Sequence, residues 1–554
     1  MRKGRVFAGL IILVLIGAMV RCGGGASGSG SDPGPSPSPG PAPSPPPSTA
    51  PAADVLTYHN DNARTGQNLQ ETALTPANVN VSSFGKIFAL TVDGKVDAQP
   101  LYVAQLALSG GTRNVLYVAS EHNSVYAFDA DAGTKLWQVS LLAPGETASD
   151  TRNCNQVEPE IGITATPVID RSAGPHGTIY VVAMSKGPSG YHQRLHALDL
   201  ASGAEQFNGP VDIAASYPGT GDNSSGGKVI FDPKQYKERP GLLLLNGVVY
   251  TTWSSHCDIR PYTGWVIGYT ASTLQQASVL NMAPNGEGGS FWNSGAAPAA
   301  DSAGNIFQLV ANGSFETTLD ANGFPSRQDF GNAFIKIATA SGQLTVADYF
   351  DMFNTLSESS IDNDLGSGGA LLLPDLKDAG GAMRHLALGA GKDHTIYVVD
   401  RDNMGKFNGS RNNIYQQLTH VLPGAEFAMP AYFDGLVYFG SVGGPLQAYQ
   451  VANAKLSPAA VSETGQFFRY PGTTPAISAN GTSNGIVWAA ENSNPAVLHA
   501  YDARDLSHEL YNSDQAGSRD HFGAGNKFIT PTISGGKVYV GTTNGVGAFG
   551  LLGK

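Results

Sequence analysis

Polar side chains stand directly ahead of a series of short apolar strands in this chain of 554 residues. Charged residues make up only 14% of the sequence, so their concentration at these positions points to a shared pocket. There, a carboxylate can act as a general base, and an arginine or lysine can bind an anion or stabilise an oxyanion. The alternative is that these residues are solvated turn residues or satisfy buried backbone groups. The candidate catalytic carboxylates are Glu160, Asp362 and Asp364, and the candidate ligand-binding residues are Asp97, Gln99, Arg239, Trp292, Asn293 and Lys527.

A second candidate for chemistry is the stretch SSHCD at 254–258. Residues two apart on an extended chain face the same side, so His256 and Asp258 can cooperate as a general base or as metal ligands. The alternative is that this loop is simply anchored by a disulfide through Cys257. Cys154 and Cys257 are the two cysteines beyond residue 22, and an exported protein is expected to join them.

Motifs for metal and phosphate binding are weak or missing. The stretch DNDLGSGG at 362–369 is acidic and glycine-rich, but it lacks the spacing of an EF-hand, so calcium there needs ligands from elsewhere in the chain. The sequence contains no P-loop, H-E-x-x-H or C-x-x-C-H motif. A net charge of -12 excludes a general nucleic-acid binder.

The candidate residues need elements that bring distant parts of the chain together, and the sequence supplies a repeat. Each copy contains an apolar strand, a short turn and a second strand that ends in small residues and Asp. A further short strand, often opened by a proline, precedes most copies. Helical periodicity is absent after the first 20 residues. The eight copies begin at Val115, Thr178, Val248, Asn305, Thr395, Leu436, Ile486 and Lys537.

About four short strands per copy are the content of one propeller blade. The sequence therefore predicts an all-β fold, an eight-bladed β-propeller over 54–554. The last copy lacks an outer strand, and we expect the segment FGKIFALTV at 84–92 to pair with it and close the ring. In a propeller the starts of the innermost strands meet at one end of the channel, where the polar residues named above would gather.

The first 53 residues are predicted to lie outside the propeller. Residues 1–22 read as an export leader, with a basic start and an apolar run from Val6 to Val20, and 23–53 read as a Gly/Ser/Pro-rich linker. Cys22 resembles the lipidation site of a bacterial lipoprotein, although Arg21 stands where that family has a small residue. Cleavage further along and an uncleaved anchor are the alternatives. Each places the propeller in the periplasm, at the outer membrane or on the cell surface.

The stretch AFDADAGTKLWQ at 127–138 resembles the repeat of the pyrroloquinoline-quinone (PQQ) family, and HALDLASGAEQF and HAYDARDLSHELY repeat it. The segment YHNDNARTGQN at 58–68 is similar to the one that precedes the ring in such proteins. The family includes quinoprotein dehydrogenases and a barrel-assembly lipoprotein. The resemblance implies a propeller fold, with PQQ and calcium as cofactors. Trp137, the aromatic residue after the turn, is predicted to pack against the neighbouring blade, and the alternative is that it contacts a cofactor. The adjacent cysteine pair of many family dehydrogenases is missing here.

Four functions remain open from the sequence. The first is an exported propeller that binds a small molecule, glycan or protein at its channel mouth, with no membrane contact beyond an N-terminal anchor. The second is a PQQ- and calcium-dependent oxidoreductase acting on alcohols or sugars. The third is a polysaccharide-degrading enzyme that stacks sugar rings on Trp253, Tyr262, Trp265 and Trp292. The fourth is an envelope assembly scaffold.

Overall fold

The structure is a computed structural model that describes residues 52–340 and 342–553. Strands make up almost all of the regular structure in these residues, which confirms the all-β prediction. The predicted leader at 1–22, with Cys22, lies outside the described residues, as does the predicted linker as far as residue 51. Within the described part, no helix is both long enough and apolar enough to cross a membrane.

Eight sheets of four or five strands follow one another through the described residues, and we number them blades 1 to 8 in chain order. All their strand pairs are antiparallel except the one between Gln67–Asn68 and Ala476–Asn480, which is parallel. Blade 1 consists of Leu101–Leu108, Gly111–Ala119, Ser124–Asp129 and Lys135–Ser140. Blade 2 consists of Val168–Asp170, Thr178–Gly187, Gly190–Asp199 and Val211–Asp212. The short strand Thr147–Ala148 also pairs with Thr178–Gly187, as Val168–Asp170 does. Blade 3 consists of Leu243–Leu245, Val248–Thr252, Trp265–Thr270 and Gln276–Asn281. Blade 4 consists of Ala299–Ala300, Ile306–Leu309, Phe334–Ala338 and Thr345–Phe350.

The second half of the chain repeats this arrangement. Blade 5 consists of Leu371–Leu372, Leu386–Ala390, Ile396–Asp400 and Gln416–Leu418. Blade 6 consists of Ala431–Phe433, Leu436–Phe439, Gly444–Ala452 and Ser462–Phe468, with Lys455–Leu456 at its edge. Blade 7 consists of Gln67–Asn68, Ala476–Asn480, Ser483–Glu491, Val497–Asp502 and Asp505–Asn512. Blade 8 consists of Thr532–Ser534, Lys537–Thr542, Gly545–Leu551 and the N-terminal strand Phe84–Thr91.

The remaining elements are short and lie in the loops between these strands. A three-stranded sheet contains Ser216–Pro218, Ser224–Ser225 and Lys228–Ile230. Two small ladders pair Tyr236–Lys237 with Ser254–Ser255 and Leu376–Lys377 with Met383–Arg384. The described residues contain one α-helix, Thr355–Ser360, and the 3₁₀ turns Pro233–Gln235, Asn293–Gly295, Leu365–Ser367 and Ser513–Arg519.

Tyrosines of the second strands connect each of several blades to the next. The Tyr117 hydroxyl of blade 1 donates a hydrogen bond to the Leu200 carbonyl of blade 2 at 2.8 Å. Tyr539 of blade 8 makes the same kind of bond to the Ala130 carbonyl of blade 1 at 2.9 Å. One buried apolar cluster also contains residues of blades 8, 1 and 2. The last blade therefore packs directly on the first, and the predicted pairing of the segment at 84–92 with the last copy is confirmed by the ladder with Gly545–Leu551.

The repeat motif closes a turn and fills the space between blades, as the sequence predicts. The Asp129 carboxylate accepts hydrogen bonds from the backbone N–H groups of Asp131 and Ala132, which fixes the turn after the third strand. The Trp137 indole N–H then donates to the Leu200 carbonyl at 3.0 Å. A Cβ at Gly203 of blade 2 would lie 2.9 Å from the Trp137 ring, so that position has room only for glycine. Trp137 is thus an inter-blade packing residue.

The segment 55–68 runs through the middle of the ring and bonds to the first full strand of every blade. Its hydrogen bonds follow the chain order of the blades, so each short stretch of the segment bonds to one blade or to two successive blades. The partners in order are the backbones of Tyr102, Ile169, Leu244, Ala300, Leu372, Tyr432, Ile477 and Ile533. The segment therefore gives the first full strand of every blade a hydrogen-bond partner, either from its backbone or from the side chains of Asn62 and Asn68.

Arg64 is the central side chain of this segment and is fully buried. Its guanidinium donates to the carbonyls of Pro298 and Tyr58 at 2.9 and 2.8 Å and to the Thr57 hydroxyl at 2.8 Å. The buried His59 ring bonds to the carbonyls of Arg64 and Pro475. Buried backbone carbonyls are costly when unpaired, so these side chains supply donors where the irregular segment meets the sheets.

Three expectations meet a definite outcome here. Cys154 and Cys257 form the predicted disulfide. The prediction that Trp253 and Trp265 offer stacking surface for sugars is wrong, because both rings are fully buried in the core beside Phe231. The fifth repeat was predicted from Thr395 onward alone, but Ile396–Asp400 is the third strand of blade 5, and Leu386–Ala390 precedes it.

Candidate functional site

Several of the polar residues selected from the sequence lie around one cavity. This cavity has a volume of about 140 Å³, and we call it the central pocket. The residues that were predicted as candidates and line it are Arg239, Asp258, Trp292, Asp362, Asp364 and Lys527. The other residues in its wall are Gln156, Val157, Lys237, Ser294, Ser367, Lys392, Phe427, Tyr470 and Phe528.

One side of the central pocket carries three cations. Lys237 ends the short strand Tyr236–Lys237, and the alternation of extended chain brings Arg239 to the same side. The Lys237 ammonium donates to Gln156 Oε1 at 2.7 Å and lies 4.7 Å from the centre of the Trp292 ring. The Arg239 guanidinium lies 4.5 Å from the centre of the Phe528 ring. Lys527 completes the group from the loop before blade 8.

These cations have few counter-charges. Within residues 52–340 and 342–553, the one ion pair that any of the three makes joins Arg239 to Asp97 Oδ1 at 3.8 Å. Burial, and after it the charge of Arg239, lowers the pKa of Lys237 to about 7. Burial and the same arginine also lower the pKa of Lys527. The cations repel one another in a partly dry site, so an anion bound among them would be stabilised.

The pocket wall also contains two carboxylates, Asp362 and Asp364, and one further lysine, Lys392. The Lys392 ammonium lies 2.9 Å from Asp362 Oδ1 and 3.2 Å from Asp364 Oδ2. Burial raises the pKa of Asp364 to about 6, with Lys392 opposing the shift and Asp362 adding to it. Although burial lowers the pKa of Lys392, the two carboxylates raise it overall. Asp364 can therefore exchange a proton near neutral pH, and Lys392 stays charged.

Asp97 lies behind the cations instead of in the pocket wall. Its carboxylate is 3.1 Å from Lys95 Nζ, and both side chains are buried. Burial alone would raise the pKa of Asp97, but Lys95, a hydrogen bond with Glu121 and the charge of Arg239 hold it well below its usual range. Burial raises the pKa of Glu121, so Glu121 is the protonated partner of this pair. Asp97 is thus a buried counter-charge that positions Arg239.

Three other candidates do not reach the pocket wall. Glu160 pairs with His122 at 2.9 Å. The buried Gln99 side chain accepts from the His59 N–H and donates to the Thr532 hydroxyl, which holds the central segment. The Asn293 amide donates to backbone carbonyls of the loops beside it, including Leu309 at 3.0 Å. Gln99 and Asn293 therefore provide hydrogen-bond partners for buried backbone groups.

His256 and Asp258 do not pair with each other. The Asp258 carboxylate accepts from the hydroxyls of Ser255 and Tyr262 at 2.8 and 3.0 Å, and it lines the central pocket. His256 is fully buried, and burial followed by the charge of Lys237 lowers its pKa to about 4. The chain turns at Cys257 and Asp258, where φ is 56° and 54°, so the two side chains are not on one extended strand. The disulfide anchors this turn.

The carboxylates of the pocket do not fit a calcium ion. Calcium takes six to eight oxygen ligands, and Asp362 with Asp364 would be its natural start. The Lys392 ammonium lies between these two carboxylates and already neutralises them. Among the described residues, no three or more His, Cys, Asp or Glu side chains are grouped as a metal site. Asp362 and Asp364 are therefore ion-pair partners of Lys392 and not calcium ligands.

Lys237 and Lys392 are pocket residues that the sequence analysis did not select. Both could have been found from the topology, because the loop between the second and third strands of a blade returns to the same channel end as the loop before the first strand. Lys392 lies on the loop between the second and third strands of blade 5, and Asp258 lies on the equivalent loop of blade 3. Lys237 shares an extended stretch with the selected Arg239, two residues away.

No family model and no curated protein matches this chain. Solved structures do. The quinohemoprotein alcohol dehydrogenase from Comamonas testosteroni is 15% identical with a TM-score of 0.60, over 90% of this chain and 80% of that one. The quinohemoprotein alcohol dehydrogenase ADHIIG from Pseudomonas putida HK5 is 15% identical with a TM-score of 0.58, over 90% and 81%. A europium-containing methanol dehydrogenase is 13% identical with a TM-score of 0.58, over 90% and 98%. The chain therefore has the β-propeller fold of the quinoprotein alcohol dehydrogenases.

Proposed function

We propose that this propeller binds a small organic anion in its central pocket. The observation that carries the proposal is the group of Lys237, Arg239 and Lys527, which faces one cavity with a single ion pair at 3.8 Å to a carboxylate behind it. Burying unpaired cations costs free energy, and a bound anion recovers it. Guanidinium and ammonium groups are also the side chains that bind carboxylates and phosphates best.

The aromatic residues of the pocket favour an anion with a planar part. Trp292 and Phe528 lie beneath the cations, as the contacts with Lys237 and Arg239 show. Tyr470 packs edge-on against Phe427 at 5.6 Å and Phe528 at 6.3 Å, which forms an aromatic wall at the mouth. A planar conjugated ligand can pack against such a wall while its acidic groups reach the cations.

PQQ is one ligand of this class, because it is a planar tricarboxylate, and the fold likeness supports it. Lys237, Arg239 and Lys527 would hold its carboxylates, with Trp292 against its ring system. Bound there, PQQ supplies a two-electron acceptor for the oxidation of an alcohol. Asp364 would take the proton of a substrate hydroxyl. The dehydrogenase function is thus the second candidate, in a form that does not use the calcium arrangement of the family.

Export is proposed together with this function. The disulfide between Cys154 and Cys257 supports it, because the cytosol keeps thiols reduced. Fractionation of cells that express the full chain tests export. The protein should be recovered outside the cytoplasm, and Cys154 and Cys257 should not react with an alkylating reagent because they are disulfide-bonded. Recovery in the cytoplasm with reactive cysteines would contradict it.

Calorimetric titration of the purified protein tests anion binding. The panel is isophthalate, citrate, phenylpyruvate and PQQ, the last with and without calcium. We expect saturable binding of at least one planar anion, a melting temperature that rises with its concentration, and no requirement for calcium. The double variant Arg239→Met, Lys527→Met should lose at least about tenfold in affinity, which is ~1.4 kcal/mol.

The matched control for this titration is Lys455→Met, which removes an exposed cation that does not line the central pocket. It should bind as the unmodified protein does. Failure of every anion of the panel to bind, or equal binding by the double variant, would overturn the proposal. A melting temperature that rises only with PQQ and calcium together would instead favour the family's calcium-dependent chemistry.

A further inference from the structure

Lys237 differs from Lys392 in having no carboxylate partner among the described residues, and it differs from Lys527, which also lacks one, in being fully buried. Its side chain is buried, with 1% of the residue exposed. Its ammonium makes one hydrogen bond, to the neutral amide oxygen of Gln156, and otherwise lies over the Trp292 ring. Lys392, in the same pocket, is held between two carboxylates. The surroundings of Lys237 therefore favour the neutral amine, and those of Lys392 favour the ammonium ion.

A neutral amine in a pocket is a nucleophile, because its lone pair is free to attack a carbonyl carbon. Burial and the Arg239 charge lower the pKa of Lys237 to about 7, although the charge of Asp258 in the same pocket opposes the shift, so the neutral amine is well populated at neutral pH. An ordinary exposed lysine is neutral in only about three molecules in ten thousand at that pH. The Gln156 oxygen and the Trp292 face orient the amine within the pocket.

We propose that Lys237 forms a reversible imine with the carbonyl group of the bound anion, and that 2-oxo acids are the class of ligand concerned. This inference rests on the proposed function and names its ligand class. In a 2-oxo acid the carbonyl carbon is bonded to the carboxylate. Arg239 and Lys527 would bind that carboxylate, which brings the carbonyl to the neighbouring amine in the same cavity.

The step balances without any oxidant or reductant. A bond forms between Lys237 Nζ and the carbonyl carbon, and the bond between that carbon and its oxygen breaks. The oxygen leaves as water with the two hydrogens that the amine carried. Asp364 lines the same pocket and exchanges a proton near neutral pH, so it can protonate the departing oxygen and take the proton back.

Reductive trapping tests the imine. The full chain is incubated at pH 7 with pyruvate or phenylpyruvate and sodium cyanoborohydride, which reduces an imine to a stable secondary amine, and adducts are mapped by peptide mass spectrometry. We expect one adduct per chain at Lys237, formed on the order of tenfold to a hundredfold faster than at any other lysine. Lys392 is the internal control in the same pocket and should stay unmodified. Lactate, which has the carboxylate but no carbonyl, should give no adduct.

Two variants separate reactivity from binding. Lys237→Arg keeps a cation but has no reactive amine, so it should bind phenylpyruvate in calorimetry and give no trapped adduct. Arg239→Met should trap more slowly, because the carboxylate is held less well. Adducts spread over exposed lysines with no preference for Lys237 would overturn the imine. If phenylpyruvate still binds in that case, the anion pocket stands, whereas the absence of all binding would overturn the proposed function as well.

Discussion

Replacing Lys237 by methionine should make the propeller more stable, although it removes a side chain from the middle of the molecule. The lysine is buried with no carboxylate partner, and its pKa falls from the ordinary value of 10.5 to about 7. That difference corresponds to roughly 5 kcal/mol of unfavourable free energy for the charged form. Methionine has a similar length, carries no charge and can pack on the Trp292 ring.

The sign of the effect with pH follows from linkage. Because the pKa is lower in the folded state, the unfolded chain binds more protons between about pH 7 and 10.5, and stability rises with pH across this window. The destabilisation by the charged lysine is therefore complete below pH 7 and absent above the pKa of the lysine in the unfolded chain. Lys237→Met should raise the free energy of unfolding by up to about 4 kcal/mol at pH 7 and by only about 2 kcal/mol at pH 9.

Denaturant unfolding of the two proteins at pH 6, 7, 8 and 9 measures this difference. Lys455→Met, an exposed lysine, is the control and should change stability by less than about 0.5 kcal/mol at every pH. A destabilised Lys237→Met protein, or a stabilisation that does not shrink as pH rises, would refute the view that Lys237 is an unpaired buried cation.

The remaining predictions concern the ring. Arg64→Met should lower the free energy of unfolding by at least about 3 kcal/mol, because the buried carbonyls of Tyr58 and Pro298 and the Thr57 hydroxyl lose their donor; thermal unfolding checks this, and a loss below about 1 kcal/mol would contradict it. His499 lies 2.7 Å from each of two glutamate carboxylates, which raise its pKa overall against burial. Its contribution to stability is therefore fully present below the unfolded-state pKa of 6.5 and is lost as the pH rises through the higher folded-state pKa. His499→Gln should lower the free energy of unfolding more at pH 6 than at pH 9, and an equal loss at both would refute the ion pair. Replacing Cys154 and Cys257 by alanine should cost about 4 kcal/mol, because the bridge spans a sequence separation of 103, and unchanged unfolding in reductant would contradict this. Trp137→Leu should cost about 2 kcal/mol through lost packing between blades 1 and 2, and a neutral effect would contradict the inter-blade role.

Much of the fold could be predicted from the sequence, because each blade repeats one local pattern. Apolar strands such as Val115–Ala119 are buried at every residue, and prolines mark where innermost strands such as Leu101–Leu108 begin. In blade 5 the strand Leu386–Ala390 was not predicted, because it contains none of the β-branched or aromatic residues that are typical of strands. The path of 55–68 through the ring could not be predicted, since its contacts join residues hundreds of positions apart.

The site was predictable only where the repeat fixes the position. Arg239, Trp292 and Lys527 precede innermost strands, so the topology alone brings them together. The roles of Lys237 and Lys392 depend on which charges surround each ammonium group, and no spacing in the sequence states that. The same holds for His256, whose expected pairing with Asp258 is prevented by the turn at the disulfide.

Proton uptake on binding is the most direct test of the anion pocket. Isophthalate, which has two carboxylates and no reactive carbonyl, is titrated into the protein at pH 8 in two buffers of different ionisation enthalpy. With the pKa of Lys237 at about 7, about 0.9 of its sites are neutral at pH 8. When Arg239 and Lys527 hold one carboxylate of isophthalate, the second carboxylate meets Lys237, so binding should take up close to one proton per chain. Lys237→Met should bind with no uptake. Binding of isophthalate without proton uptake by the unmodified protein, or no binding at all, would contradict the account.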